Sequence, residues 1–248
     1  MPTRSIRSMC WRSNINTRLV AAQAAVLQSF DLDLIQDVTE SEPHDHWLQR
    51  TTEQLAENES VLYLDIDAFP LNRTVVERAF EAAERGEIFG AAQAANHLDP
   101  AFVYAGPMFL CFSKKTWIDL DRPSFSPDSK FDVAARLSQA AFDRGVPVHL
   151  LNPSFVGLPR WPLAGRGCLG TATFYDGCFF HLFQSRSLPD SADIVAMVAD
   201  PILRGEDPDY LAIHHRLNSI GGQLGMHAKR KWMRLKSKWA RIKSKQRL

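Results

Sequence analysis

The chain has 248 residues, 45% of them hydrophobic and 23% charged, with a formal charge of +1. That is ordinary globular composition, with enough chain to bury a core that needs no staples. The four cysteines (Cys10, Cys111, Cys168, Cys178) form no C-x-x-C pair and no regular spacing, so they read as free thiols of a reducing compartment rather than a disulfide frame or a zinc site. No apolar run reaches the roughly 18 residues that a transmembrane helix needs, and the N-terminus "MPTRSIRSMCWRSN" has basic residues but no apolar h-region. The expectation is a cytoplasmic protein.

In chain order, "NINTRLVAAQAAVLQSF" is the first predicted helix. Asn14 or Asn16 can cap it, and Leu19, Val20, Ala24, Leu27 and Phe30 lie near one face. "LDLIQDV" alternates as a strand does. "DHWLQRTTEQLAEN" reads as a helix with Asp45 as its N-cap. "SVLYLDIDAF" is apolar on both faces and reads as one buried strand, followed by the amphipathic helix "NRTVVERAFEAAERG", which Gly86 stops. "EIFGAAQ" is strand-like. A further strand is expected around Phe109 to Phe112, then a short helix, then the helix "KFDVAARLSQAAFDRG", then the strand "VPVHLLNP". Gly and Pro thicken in "PSFVGLPRWPLAGRGCLGTATFYDG", which is expected to be irregular loop. Alternating strands and helices argue for an α/β fold with a largely parallel sheet. No P-loop lysine motif and no internal repeat occurs.

The strand "VLYLDIDAFP" ends in D-x-D. In open α/β sheets ligands sit beyond the carboxyl ends of strands, and alternation would put Asp65 and Asp67 on the same side. Two converging carboxylates repel unless a cation joins them, and Mg²⁺ or Mn²⁺ suits oxygen ligands shared with a phosphate. An aspartate at a strand end can equally cap a loop. A haloacid-dehalogenase type of phosphatase also uses D-x-D at a strand end, but wants Thr or Val where Phe69 stands, and no second acid cluster follows.

"VLYLDIDAFPLN" resembles the D-x-D element of the GT-A superfamily of nucleotide-sugar glycosyltransferases. "YAGPMFLCFSKKTW", "SKFDVAARL" and "GTATFYDGCFFHLFQSR" follow in the matching order, the last resembling the ending of small bacterial and viral proteins of this type. The resemblance covers roughly residues 14–186. It implies a GT-A-like, Rossmann-like α/β catalytic unit over residues 1–200, with a mixed, mostly parallel sheet flanked by helices, and a C-terminal helical extension over 201–248. It implies that Asp67 binds a divalent ion, Mn²⁺ or Mg²⁺, that Asp65 contacts ribose or sugar hydroxyls or the same ion, and that His181 returns to that ion. Asp132 would be the general base toward an acceptor hydroxyl, although Phe-Asp stands here where many such enzymes have Glu-Asp. Tyr104 and Gly106 would lie near the donor sugar, before a strand. Ser13 and Asn14 would lie near the nucleotide base, after a first strand that is short and poorly apolar. The implied activity is metal-dependent transfer of a sugar from a nucleotide-sugar donor to a glycan or lipid-linked acceptor. A metal-dependent nucleotidyltransferase and an inactive glycan- or partner-binding protein of the same fold are the alternatives.

Two further patterns stand apart. His44 and His46 flank Asp45 in "PHDHW", a spacing that solvated loop histidines also show. The last twenty residues, 229–248, carry ten Lys and Arg and no acid, which leaves a body charge of about −9. Trp232, Leu235, Trp239 and Ile242 would form one stripe of a basic amphipathic helix. Such a helix suits an anionic membrane surface on the inner face, the protein's own acidic body, or nucleic acid, and the paired tryptophans favour an interface over a duplex.

Overall fold

The computed structural model describes residues 3–11, 16–95, 98–188 and 190–219. Its elements in order are β1 (Thr3–Trp11), α1 (Thr17–Ser29), β2 (Leu34–Thr39), α2 (His44–Gln54), β3 (Glu59–Asp65), β4 (Ala68–Pro70), α3 (Arg73–Glu84), β5 (Ile88–Ala95), β6 (Asp99–Ser113), α4 (Lys114–Asp119), α5 (Ala135–Asp143), β7 (Val148–Leu151), β8 (Pro153–Pro162), β9 (Cys168–Tyr175), β10 (Phe179–His181), a 3-10 turn at Ser185–Ser187, α6 (Ser191–Leu203) and α7 (Tyr210–Asn218). Among the described residues, no helix is long and apolar enough to cross a membrane.

The main sheet runs β2-β1-β3-β6-β5-β7, and only β6 opposes the other strands. It is a mixed, mostly parallel sheet flanked by helices, as expected, and the largely parallel order that the alternating pattern implies is broken at β6 alone among the described strands. β3 is buried on both faces because helices cover both. Leu62 and Leu64 belong to the core cluster that includes residues of α1, α3 and α6, while Val61 and Tyr63 belong to the one that includes residues of α2, α4 and α5. Asn16 and Asn72 cap α1 and α3 through their side chains, and Gly86 and Gly145 take positive φ just past α3 and α5. The far end of α2 is anchored by the buried ammonium of Lys114, which donates to the carbonyls of Thr52 (2.7 Å) and Glu53 (3.0 Å). Lysine at a helix C-terminus meets carbonyls that have no partner within the helix.

Several local expectations are corrected. The first strand is not thin: β1 has nine residues and lies between β2 and β3, with Ile6, Met9 and Cys10 buried. β6 starts at Asp99, because its first half pairs with β5 across two register shifts. Tyr104 and Gly106 therefore lie within a strand rather than ahead of one. Asp45 is not the cap of α2. Pro43 holds that position without a side-chain bond, and the Asp45 carboxylate accepts from the Ser126 hydroxyl at 2.7 Å.

The largest correction concerns residues 153–177. They form the β8–β9 hairpin of a second sheet, ordered β4-β10-β9-β8. Pro153, Pro159 and Pro162 misread as loop because β8 is an edge strand with register shifts, where a missing N–H costs little. Gly170 is required for the pairing. A Cβ there would collide with the Leu158 carbonyl oxygen across the ladder. The two sheets meet through Phe109 and Phe179, edge to face at 4.7 Å. Gly170→Ala is expected to destabilise the protein by about 3 kcal/mol, at the upper end of overpacking costs, measured as a lower urea midpoint.

Candidate metal centre

D-x-D does not lie on one strand. Asp65 is the last residue of β3, and Ile66 and Asp67 turn the chain into β4, which belongs to the other sheet. Strand alternation is thus not what aligns the carboxylates. The turn is held from two directions. From α1, the buried Gln23 amide donates to the carbonyls of Asp65 and Ala68, each at 2.7 Å, while Gln36 donates to the Gln23 carbonyl at 3.2 Å. From the second sheet, β10 pairs antiparallel with β4, so that His181 stands opposite Ala68, and Leu182 N–H donates to the Asp67 carbonyl at 2.9 Å.

That pairing delivers the third group. His181 Nε2 lies 3.6 Å from Asp65 Oδ2 and 3.5 Å from Asp67 Oδ1. One ligand atom from each of Asp65, Asp67 and His181 falls within 4.8 Å of the others. The His181 ring is buried and rests on Phe183 at 4.0 Å, with Trp161 behind Phe183 at 5.8 Å. Burial works against ionisation of Asp67, but the adjacent His181 imidazole and the Ser185 hydroxyl outweigh it and hold the carboxyl below its usual range. Asp67 is therefore an ionised, buried acceptor at neutral pH.

These residues fit a divalent ion. Separations of 3.5 and 3.6 Å are long for hydrogen bonds but suit neighbouring ligands of one ion with bonds of about 2.1 Å. Two carboxylates and one imidazole are a mixed oxygen–nitrogen donor set, and Asp65, Asp67 and His181 could hold such an ion together.

The surrounding cleft has a volume of about 370 Å³ and is lined by Met9, His44, Gln93, Asp132, Phe183 and Arg186 in addition to the three candidate ligands. Asp132 is thus brought to the same cleft. It does not open α5, which begins three residues later after Ala134 in a left-handed turn. Its Oδ1 accepts from Val133 N–H (2.8 Å) and its Oδ2 from the Tyr104 hydroxyl (3.4 Å). Tyr104 is itself fully buried. Burial raises its hydroxyl, and the Asp132 charge adds to this, so it stays protonated as a donor. Gly106 makes room for Gln93 and Met108, whose side chains would clash with a Cβ. Tyr104 and Gly106 shape the wall without lining the cleft. Ser13, Asn14 and the basic tail 229–248 lie outside the described residues.

Sequence reasoning passed over Gln23 and set His44 aside. A buried glutamine has no motif. His44 reaches the cleft only because α2 lies on β3. The G-x-G-x-x-G spacing of Gly165, Gly167 and Gly170 runs from the β8–β9 turn into β9 rather than into a helix, so it is not a dinucleotide fingerprint.

No family model matches the chain, and no curated protein matches it. Among solved structures, that of 4-diphosphocytidyl-2C-methyl-D-erythritol synthase from Anaerococcus prevotii DSM 20548 is similar at 13% identity and a TM-score of 0.38, covering 60% of this chain and 86% of that one. Nothing about chemistry transfers at that overlap.

Two outcomes test the centre. With an imidazole among its ligands, it should bind Mn²⁺ or Co²⁺ at least tenfold more tightly than Ca²⁺ in calorimetric titration. Gln23→Leu takes the amide donor from the Asp65 and Ala68 carbonyls, at about 1–3 kcal/mol for a buried acceptor left unpaired, and should lower both the thermal midpoint and Mn²⁺ affinity.

Proposed function

We propose that this chain is a divalent-metal-dependent transferase that takes a nucleotide-sugar donor and moves the sugar to an acceptor hydroxyl. The observation that carries the reading is the convergence of Asp65, Asp67 and His181 at the carboxyl end of β3, in a cleft whose other wall presents Asp132. An ion held there supplies positive charge for a diphosphate.

The protein's own residues do the rest. Asp67, with the His181 imidazole and the Ser185 hydroxyl beside it, stays ionised and fixes one side of the donor site. Asp65 is half-buried and faces the cleft, placed to meet the ion or donor hydroxyls. Asp132 is the candidate base. The Tyr104 hydroxyl and Val133 N–H each occupy one of its oxygens and set the carboxylate plane, and each oxygen keeps a lone pair for the proton of an acceptor hydroxyl. Phe183 and Trp161 form an aromatic edge beside His181 that suits a sugar or a base face.

The test combines binding with product analysis. UDP, GDP and CDP are titrated with Mn²⁺ and with EDTA on wild type and Asp67→Asn, and products are then followed from the matching nucleotide sugar. The reading expects metal-dependent binding that Asp67→Asn reduces at least a hundredfold, with release of nucleoside diphosphate. Asp132→Asn should retain donor binding while losing about 10²–10⁴-fold in turnover, the range of a general base. Release of inorganic diphosphate from a nucleoside triphosphate would replace glycosyl transfer with nucleotidyl transfer. Binding that is indifferent to EDTA would overturn both.

A further inference from the structure

Outside the three candidate ligands, His44 brings to the cleft a buried polar atom without a hydrogen bond. Its Nε2 is buried, has no hydrogen-bond partner, and lies 3.6 Å from Asp65 Oδ1. Asp65 is thereby flanked on both carboxylate oxygens, with His181 Nε2 at 3.6 Å from Oδ2 on the opposite side.

This contact follows from how α2 packs. The odd-numbered face of β3 presents Val61, Tyr63 and Asp65 in turn to the α2 layer. One face of α2 presents His44, Trp47, Thr51 and Thr52 to that strand face, at helical spacings. The Tyr63 hydroxyl is shared by Thr51 (3.0 Å) and Thr52 (2.8 Å), and the Trp47 ring stands edge-on to the Tyr63 ring at 5.3 Å. The Trp47 indole N–H is tied to Asp37 at 3.0 Å. One turn nearer the helix start, His44 meets the next residue of the strand face, Asp65. Trp47, Thr51, Thr52 and Tyr63 are all fully buried, and Lys114 anchors the far end of the helix, so α2 has little freedom to withdraw its first residue.

We propose that His44 is a positioning residue of the metal centre: its Nε2–H holds Asp65 Oδ1, so that Oδ2 faces the ion together with Asp67 and His181. The inference rests on the metal reading given above. A buried N–H without an acceptor costs about 1–3 kcal/mol, and the nearest acceptor lies a few tenths of an ångström beyond bonding range. Ligating carboxylates that are themselves hydrogen-bonded bind their ion more tightly, and losing such a partner typically costs 10–100-fold in affinity. The arrangement also explains why Asp65, at the open side of the cleft, needs help that the buried Asp67 receives from Ser185.

The test uses the full chain and Mn²⁺ alone as probe, followed by electron paramagnetic resonance, with a thermal melt of each variant to confirm folding. His44→Leu should weaken Mn²⁺ binding 10–100-fold and alter the spectrum of the bound ion. His44→Gln, whose side-chain amide N–H can reach the same carboxylate oxygen, should restore most of the affinity. Wild-type binding by His44→Leu would overturn the inference, and so would a His44→Gln loss as large as that of His44→Leu. Two imidazole nitrogens coupled to Mn²⁺ in wild type, one of them absent in His44→Gln, would replace positioning by direct ligation. If wild type bound no Mn²⁺, the metal reading itself would fall, and the inference with it.

Discussion

Three residue pairs join β4 to β10: Pro70 with Phe179, Phe69 with Phe180, and Ala68 with His181. The meeting of His181 with the two carboxylates depends on this short antiparallel ladder. It is the only strand pairing that ties the turn after β3 to the second sheet among the described residues. It brings a histidine from more than a hundred residues away to within 3.6 Å of two carboxylates. So short a ladder would be weak alone, and its stability comes from aromatic packing. Phe69 lies on Phe180, Phe180 on Phe174, and Phe174 on Tyr210 of α7, with ring centroids 5.3, 4.9 and 4.7 Å apart. Such pairs contribute about 0.5–1.5 kcal/mol each beyond the area they bury.

The convergence of these groups is costly to the fold. Two carboxylates converge at the end of a buried strand, one of them almost fully enclosed, and His181 Nδ1 is buried without a partner. Burial and like-charge proximity both disfavour this arrangement. The surrounding structure offsets that cost with rigid scaffolding: the Gln23 amide on two carbonyls, the Leu182 N–H on a third, and the Phe183 ring against the imidazole. Converging polar groups held in place by a surrounding scaffold are the usual mark of a site shaped for a ligand rather than for stability.

The two sheets divide the labour. The main sheet places Asp65, Met9 and Gln93 along one edge, and the second sheet closes the cleft with His181 and the Phe183–Arg186 segment behind it. Phe109 against Phe179 locks one sheet to the other, so the two walls cannot drift apart without opening the core. The candidate base comes from a third source, the turn ahead of α5, and is oriented by Tyr104 from inside β6.

Local pattern was enough to read the α/β class, the asparagine cap of the first helix, the glycine stops, and the buried strand that runs into Asp65. These depend on spacing and propensity over ten to fifteen neighbours, which the chain displays openly. The same reading failed at residues 153–177, where Pro and Gly signalled loop although the segment is an edge hairpin. Proline is excluded from a central strand but not from an edge, and only strand order tells the two apart. Asp65 and Asp67 could be singled out from the strand pattern, and Asp132 and His181 only through the resemblance of the segments around them. Their convergence could not, because the β4–β10 register and the turn between Asp65 and Ala68 are long-range facts. Gln23 and His44 acquire meaning only when α1 and α2 are laid on the sheet. A buried amide and a helix-start histidine have no signature of their own, and what they touch is decided by packing between elements rather than by the order of residues within them.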